Sequence, residues 1–255
     1  MRFASLGSGS EGNALIVEHL GTTLMLDCGF GLAETEMRLL RLGLAPSDLH
    51  AIVVTHEHSD HVGGVARFAR KHRTDVWLTH GTARHIAPQS LLDDNYRFID
   101  AHQAFNVGDL QVQPFLVPHD ASEPVQFVFS DGAARLGVLT DTGCSTAHIE
   151  QCLSGCDALV LECNHDLGML MNGPYPSGLK QRVAGRFGHL DNAAAANLLA
   201  RLDCGKLKHI LAAHLSKQNN RPELARAALA GVLGCEADWI GIAQQDNGFG
   251  WRDLS

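Results

Sequence analysis

The chain lacks the excess of positive charge with which a protein holds nucleic acid by overall basicity. Its 255 residues carry 20 Lys and Arg against 28 Asp and Glu, a formal net charge of −8 at pH 7. Sequence-independent binding depends on cations that displace the counterions of the phosphates. The composition therefore argues against a generally basic nucleic-acid-binding protein, although a local basic patch and bound divalent cations are both compatible with it.

The signals of export and membrane insertion are also missing. The chain has no run of about 18 apolar residues, and no basic region followed by an apolar stretch is visible at its start. The seven cysteines are odd in number, and Cys152 and Cys156 have no second pair that would complete a four-sulfur site. We therefore expect a cytoplasmic protein with reduced, mostly buried thiols.

No internal repeat or linker divides the chain. A hydrophobic content of 45% with 19% charged residues is ordinary for a globular enzyme. Apolar strand-like runs come first, and mixed strands and helices follow. We expect one α/β domain over residues 1–255.

Histidine is what the chain has in excess, with 15 in total. Three of them crowd with two carboxylates into Thr55–His61, directly after an apolar run. Neutral imidazole is the commonest side-chain metal ligand, and His56 and His58 project to the same side of an extended segment. A following turn would direct Asp60 and His61 to a second position. The stretch predicts two pairs of ligands for two adjacent metals, and the alternative is a polar loop that is merely rich in His.

Potential ligands or acids also follow five apolar runs. These residues are His56, His119, Asp141, Glu162 and His214. Strands this uniformly apolar are buried on both faces, so their ends open onto a common edge of a covered sheet, where active sites lie. Seven side chains are then predicted to meet in one cleft around two metals that share Asp141: His56, His58, Asp60, His61, His119, Asp141 and His214.

Periodicity and turn signals predict several other segments. Glu34–Leu42 has helical spacing with Met37, Leu40 and Leu44 on one side. Residues 166–188 have no clean period, which predicts a loop with a short helix, and residues 88–101 are expected to form a surface excursion. The histidines without a comparable setting are expected at the surface: His80, His85, His102 and His148.

Two polar segments have local structural roles. Gly7–Asn13 resembles a phosphate-binding loop but lacks the P-loop lysine, so a hairpin turn is the favoured interpretation. Asn13 stands where this segment re-enters the sheet. Asp191 is predicted to cap an Ala-rich helix, Asn192–Leu202.

Thr55–His61 matches the His-x-His-x-Asp-His motif of the metallo-β-lactamase-fold superfamily. Four segments resemble one branch, the YycJ/WalJ-type hydrolases, which is similar to tRNase Z and to the cyclic phosphodiesterase of phosphonate metabolism. These segments are Ser5–Asn13, Leu161–Asp166, Gly188–Asn192 and His214–Asn220. The resemblance covers essentially the whole chain, and it implies a four-layer αβ/βα sandwich with a dinuclear site at one edge between two sheets.

The resemblance also implies a ligand set for two divalent cations. One cation is assigned to His56, His58 and His119. The other is assigned to Asp60, His61 and His214, with Asp141 as the bridge. Asp27 would orient the His-rich loop from behind the ligands. Mixed His and Asp ligation suits Zn²⁺, Mn²⁺ or Fe.

The implied chemistry is phosphodiester hydrolysis by a hydroxide that two metals activate. By resemblance to the tRNase Z group, His189 is predicted to be the general acid, with Glu162 holding its other nitrogen. Asp60 is assigned a catalytic as well as a ligand role. The role of His165 stays open between contact with the scissile phosphate, metal binding and support of its loop.

The segment before His189 indicates what kind of substrate to expect. Lys180, Arg182 and Arg186 are either a solvated surface or, near the metals, contacts for flanking phosphates. On a short helix Arg182 and Arg186 would share a face. The resemblance implies 5′→3′ exonuclease action on DNA, which is favoured over RNA without excluding it. The alternative is hydrolysis of small cyclic phosphodiesters such as cyclic nucleotides or cyclic sugar phosphates.

One position departs from the branch, since relatives commonly have Ser after Gly-His-Leu and this chain has Asp191. A helix cap survives that change, but a hydroxyl contact to substrate would be lost. The His and Asp ligands of the first motif disfavour iron redox chemistry of the flavodiiron type. A thioester hydrolase of the glyoxalase II type is disfavoured because no C-terminal helical domain for glutathione is evident.

Overall fold

The computed structural model describes residues 1–86 and 95–255, and these residues form two mixed sheets of seven strands each. The strands are β1 (Arg2–Gly7), β2 (Ala14–His19), β3 (Thr22–Leu26), β4 (Ala51–Val53), β5 (Asp75–Leu78), β6 (Tyr96–Phe98), β7 (Phe105–Val107), β8 (Leu110–Leu116), β9 (Val125–Ser130), β10 (Arg135–Leu139), β11 (Ala158–Glu162), β12 (His209–Ala213), β13 (Gly241–Ile242) and β14 (Phe249–Asp253). The helices are α1 (Leu32–Arg41), α2 (Ser59–Val62), α3 (Val65–His72), α4 (His80–Ile86), α5 (Ala147–Leu153), α6 (Leu167–Asn172), α7 (Ser177–Val183), α8 (Asn192–Leu199) and α9 (Pro222–Leu233).

The strand order of the two sheets brings the ligand-bearing loops to one edge of each. The first sheet has the order β14-β1-β2-β3-β4-β5-β6, and the second has the order β13-β12-β11-β10-β9-β8-β7. Strands β3 to β6 are parallel, and so are β10 to β13. Leu26 pairs with Val53, and Glu162 pairs with Ala213. Because the carboxyl ends of parallel strands share an edge, the residues after these strands emerge side by side.

Three apolar cores define the layers. The core between the two sheets contains Phe3 and Phe127. A second core, which contains Leu198, lies between the second sheet and α5, α8 and α9. A third core, which contains Phe68, lies between the first sheet and α1 and α3. The layers therefore run helices, sheet, sheet, helices, and the predicted α/β fold with a four-layer αβ/βα sandwich is confirmed.

Met37 and Leu40 share one side of α1, but that side faces solvent rather than the core, and Leu44 lies beyond the helix and is buried. Met37 is 52% exposed and Leu40 is 73% exposed, whereas Arg38 and Leu39 are buried. The Arg38 guanidinium donates to the backbone carbonyl oxygens of Leu6 and Gln245 at 2.7 and 3.0 Å. A buried cation that is satisfied by two carbonyl groups can take the place of an apolar side chain in the core-facing position.

The segment 166–188 contains two helices, α6 and α7, rather than one. Asp166 caps α6 by accepting a hydrogen bond from the Met169 N–H at 2.8 Å. Because α7 ends at Val183, Arg186 lies beyond the helix. The prediction that Arg182 and Arg186 share a helical face is therefore wrong.

Several other local predictions meet mixed outcomes. The antiparallel pairing of β1 with β2 confirms the hairpin across residues 7–13, and Asp191 does cap α8. Of the surface excursion predicted over residues 88–101, residues 88–94 lie outside the described residues, and β6 pairs with β5. All seven cysteines are free, but four are only half-buried, so the expectation of mostly buried thiols is wrong. No helix among the described residues has the length and apolar character to cross a bilayer.

Candidate metal centre

Loops at the shared edge of the two sheets enclose a cleft of about 360 Å³. The predicted ligands and acids that border it are His58, Asp60, Asp141, His189 and His214. The remaining predicted ligands are buried behind these: His56, His61 and His119. The structure thus brings together all seven side chains that the sequence predicts as metal ligands.

The backbone is strained where the strands deliver side chains to the cleft. Asp27, Asp141 and His214 have left-handed φ angles of 60°, 56° and 54°, and each stands at the carboxyl end of a parallel strand. Residues other than Gly seldom adopt these φ angles, although Asp and His do so more readily than most. A cost of about 1–3 kcal/mol for each such residue is retained mainly at functional sites.

The first ligand cluster consists of His56, His58 and His119, whose ligand atoms all lie within 4.8 Å of one another. The Nδ1 of His119 faces the Gly188 carbonyl oxygen at 3.0 Å, and the Nε2 of His58 faces the Asp120 carbonyl oxygen at 3.2 Å. A carbonyl oxygen only accepts, so each of these nitrogens carries the proton. The remaining nitrogens, His119 Nε2 and His58 Nδ1, then direct lone pairs at each other across 3.3 Å.

His56 adds a third lone pair to this cluster. The Thr55 hydroxyl donates to Asp27 Oδ2 at 2.9 Å, so at 3.0 Å it accepts from His56 Nδ1. His56 Nε2 is then left unprotonated, and it is buried without a hydrogen-bond partner among the described residues. Burial lowers the pKa of His56 and of His119, which favours the neutral form that binds metal.

The second cluster consists of Asp60, His61 and His214. Asp60 Oδ2 lies 3.3 Å from His214 Nε2 and 3.4 Å from His61 Nε2. Asp141 Oδ2 lies 3.0 Å from the same His61 nitrogen, and Asp141 also groups with His56 and His61. Asp141 therefore stands between the two clusters, at the place where the sequence predicts the bridging carboxylate.

These donors fit divalent cations. Converging imidazole lone pairs and a buried unpartnered nitrogen are unfavourable unless a cation neutralises them. Burial lowers the pKa of His214, but Asp141 and Asp60 outweigh it and raise that pKa to about 10. A proton and a metal cation would therefore compete for the second cluster.

Asp27 and the loop of residues 7–13 hold the ligands from behind. Asp27 Oδ2 faces His61 Nδ1 at 2.7 Å, and Asp27 Oδ1 accepts from the Thr55 N–H at 2.8 Å. Burial raises the pKa of Asp27, even though the His61 and Thr55 contacts act to lower it. The Asn13 N–H donates to the Asp60 carbonyl oxygen at 2.8 Å, and the Ser8 hydroxyl accepts from the His214 N–H at 2.9 Å. Asn13 thus fixes the loop that carries Asp60.

His189 and Glu162 form a second functional group on the rim of the cleft. His189 Nδ1 donates to Glu162 Oε1 at 2.8 Å, and Glu162 is fully buried. Burial lowers the pKa of His189, but the Glu162 carboxylate outweighs burial and raises it. Burial would raise the pKa of Glu162, yet His189 holds it at about 2. The pair can therefore keep a proton on an imidazole that borders the cleft.

The other predicted site residues differ in whether they line the cleft. Arg182 lines the cleft, and its Nε donates to Asp120 Oδ2 at 2.6 Å. Lys180 Nζ donates to the Met171 carbonyl oxygen at 2.8 Å and does not line the cleft, and Arg186 is exposed outside that lining. His165 is buried beside Asn164, with Nδ1 3.2 Å from Asn164 Oδ1, and does not line the cleft either.

Sequence reasoning missed Asp120 and Asn164. Asp120 holds the Arg182 guanidinium at the cleft, and its carbonyl oxygen fixes the His58 ring. The Asn164 side-chain amide donates to the His214 carbonyl oxygen at 3.0 Å. Both follow the ends of apolar runs, and this position is the signal that could have identified them.

A model of the beta-lactamase superfamily domain matches residues 22–214. Exodeoxyribonuclease YycJ of Bacillus anthracis is 36% identical over 246 residues, which cover 95% of this chain and 93% of that protein. The chain belongs to the metallo-β-lactamase-fold hydrolases, in the YycJ/WalJ-like branch.

A second relative supports the branch, and a solved structure shows the same fold. Exodeoxyribonuclease WalJ of Streptococcus pneumoniae serotype 2 is 32% identical over 245 residues, which cover 94% of this chain and 91% of that protein. The crystal structure of the metallo-β-lactamase-fold protein YhfI from Bacillus subtilis superposes with a TM-score of 0.76 over 99% of both chains, at 15% identity. The metallo-β-lactamase fold implies divalent metal ions, and the two clusters are where this hydrolase would hold them.

Proposed function

We propose that the protein is a two-metal phosphodiesterase that degrades DNA from the 5′ end as a 5′→3′ exonuclease. The observation that carries the proposal is the His189–Glu162 pair, which borders the same cleft as the two ligand clusters. A phosphodiesterase needs this combination, because the departing oxygen must be protonated while the phosphate is held for attack. The names of the YycJ and WalJ relatives, both exodeoxyribonucleases, support DNA as the substrate.

The residues divide the work as follows. Two divalent cations, when bound by His56, His58 and His119 and by Asp60, His61 and His214 with Asp141 between, supply Lewis acidity and activate water. His189 donates its Nε2 proton to the departing 3′ oxygen, and Glu162 keeps the ring oriented and protonated until that transfer. Asp60 positions the second cluster through its contacts with His61 and His214.

Arg182 is the cation best placed to hold a substrate phosphate, because it lines the cleft. Its ion pair with Asp120 fixes the guanidinium, so little side-chain freedom remains to be lost on binding. Lys180 and Arg186, which do not line the cleft, would contact phosphates further along the strand. We assign His165 to support of its loop, since it lies behind the cleft beside Asn164.

The alternative is hydrolysis of small cyclic phosphodiesters. A cleft of about 360 Å³ is at the lower end of the range for pockets that enclose one small ligand. RNA is the other substrate that the same chemistry would accept.

The cellular setting belongs to the same proposal. Seven free thiols and the absence of disulfides among the described residues suit the reducing cytoplasm. Mixed His and Asp ligands suit Mn²⁺ or Zn²⁺, and Fe would also bind. We propose that residues 1–255 act as a single catalytic domain.

The proposal is tested with purified protein, Mn²⁺ or Zn²⁺, and single-stranded DNA that carries a 5′ phosphate. We expect stepwise release of mononucleotides from the 5′ end, abolished in His58→Ala. His102→Ala is the matched control, because His102 is exposed and lies outside the cleft. Degradation that persists in His58→Ala, or cleavage of cyclic nucleotides without cleavage of DNA, would count against the exonuclease.

A further inference from the structure

Residues 174–188 form the outer wall segment, five of whose residues line the cleft, and the segment differs in composition from the rest of the chain. It carries three cations and no acidic residue, in a chain of formal charge −8. Aromatic side chains stand among these cations at Tyr175 and Phe187, and Phe187 is 56% exposed. Aromatic rings interleaved with cations are the pattern with which proteins bind single-stranded nucleic acid.

One part of this wall faces the reacting centre. Tyr175, Leu179, Arg182 and Val183 border the same cleft as His189. Within α7, Leu179 lies three residues before Arg182 and four before Val183, so the three side chains share one helical face. The cleft is therefore apolar and aromatic along its outer wall and charged where Arg182 reaches it.

Backbone geometry and hydrogen bonds hold the wall in place. Pro174 and Pro176 flank Tyr175 and fix the φ angles on both sides of it. Further along, the Phe187 carbonyl oxygen accepts from the Asp120 N–H at 3.0 Å. A backbone that is already restricted in this way loses less conformational entropy when a ligand binds to the wall.

We propose that Tyr175 and Leu179 form a subsite for the base of the 5′-terminal nucleotide, while Arg182 holds a phosphate of the same strand. This rests on the proposed nuclease function and names the group that its cleft recognises besides phosphate. A flat base is the occupant that the wall fits, because every base offers a π face to an aromatic ring and is joined to the anionic backbone that the three cations favour.

The test compares two single-stranded DNA oligonucleotides with 5′ phosphates that differ only in the first nucleotide, which is either normal or an abasic tetrahydrofuran residue. We expect the metal-loaded wild type to show a kcat/KM roughly 5- to 150-fold lower for the abasic strand, the range given by loss of one base–aromatic stack. Tyr175→Ala should reduce kcat/KM for the normal strand by the same factor and should not reduce kcat/KM for the abasic strand. Tyr175→Phe, which keeps the ring, should retain the discrimination.

Binding provides a second readout. In a His189→Ala background, fluorescence anisotropy with 3′-labelled strands gives a dissociation constant for each strand. The ratio of the constants for the abasic and normal strands should match the ratio of kcat/KM values. The wild-type comparison stands even if Tyr175→Ala does not fold. Equal cleavage of both strands by the wild type, or discrimination that survives in Tyr175→Ala, would overturn the base subsite alone, whereas cleavage of neither strand would overturn the exonuclease as well.

Discussion

Replacing Asp27 with Asn changes one carboxylate oxygen to an NH₂ group at a buried contact behind the metal ligands. Asp27 is only 3% exposed, and its oxygens accept from Thr55 and from His61 Nδ1. An Asn side chain can still accept from Thr55, but its NH₂ group would then face His61 Nδ1. The ring would have to move its proton to Nε2, the nitrogen that faces Asp60 and Asp141.

The size of the effect follows from this change of tautomer. Loss of a partner behind a metal ligand typically lowers metal affinity 10- to 100-fold, or about 1.4–2.7 kcal/mol. We expect Asp27→Asn to weaken metal binding by that factor. The metal-free protein should lose about 1–3 kcal/mol of unfolding free energy, because a charge-assisted buried hydrogen bond is lost.

Competition with a chromophoric chelator measures the metal affinity, and urea unfolding in EDTA measures the stability separately. Asp157→Asn is the matched control, because Asp157 accepts from the Arg135 N–H at 2.9 Å at the opposite end of β11. It should leave the metal affinity unchanged. An Asp27→Asn protein that is destabilised but binds metal as tightly as the wild type would contradict this role of Asp27.

Three further predictions concern packing, acid stability and thiol reactivity. A Cβ added at Gly29 would lie 1.8 Å from the Asp60 carbonyl oxygen. Gly29→Ala should therefore cost at least about 1–3 kcal/mol of unfolding free energy, measured by urea titration, and lower the metal content, measured by elemental analysis. A variant with wild-type stability and metal content would contradict this contact. Burial raises the pKa of Asp131, but backbone N–H groups and the N-terminus outweigh burial and lower the pKa to about 2. The carboxylate therefore stabilises the fold above pH 4, and this stability is lost as the pH falls towards 2. The difference in unfolding free energy between wild type and Asp131→Asn should shrink over that range, and a constant difference would contradict this. Burial raises the pKa of the Cys163 thiol. Iodoacetamide should therefore label the half-buried Cys144 in the native protein and Cys163 only after unfolding, as peptide mapping would show. Labelling of Cys163 in the native protein would contradict its burial.

The architecture was predictable because its signals are local. Uniformly apolar runs such as Ala51–Val53 identify strands that are buried on both faces, and ligand residues directly after them mark the edge where a cleft forms. Pro222 at the first turn predicts the start of α9, since Pro is favoured there. The cluster at Thr55–His61 was equally predictable, because three imidazoles and two carboxylates within seven positions indicate bound cations.

The parts that sequence reasoning missed depend on contacts between distant segments. Arg38 is buried because carbonyl groups of Leu6 and Gln245 satisfy it, and helical periodicity cannot reveal partners so far along the chain. Asp120 acts through Arg182, which follows it by 62 residues. The short helices α6 and α7 depend on caps and prolines rather than on a long apolar period.

We propose above that two metals and the His189–Glu162 pair hydrolyse DNA from its 5′ end. The most direct measurement titrates EDTA-treated protein with Mn²⁺ while following mononucleotide release from 5′-phosphorylated single-stranded DNA. We expect no release without metal, and a rise in release that levels off at two equivalents of Mn²⁺ per chain. Full activity in EDTA, or saturation with metal without any release of 5′ nucleotides, would contradict it.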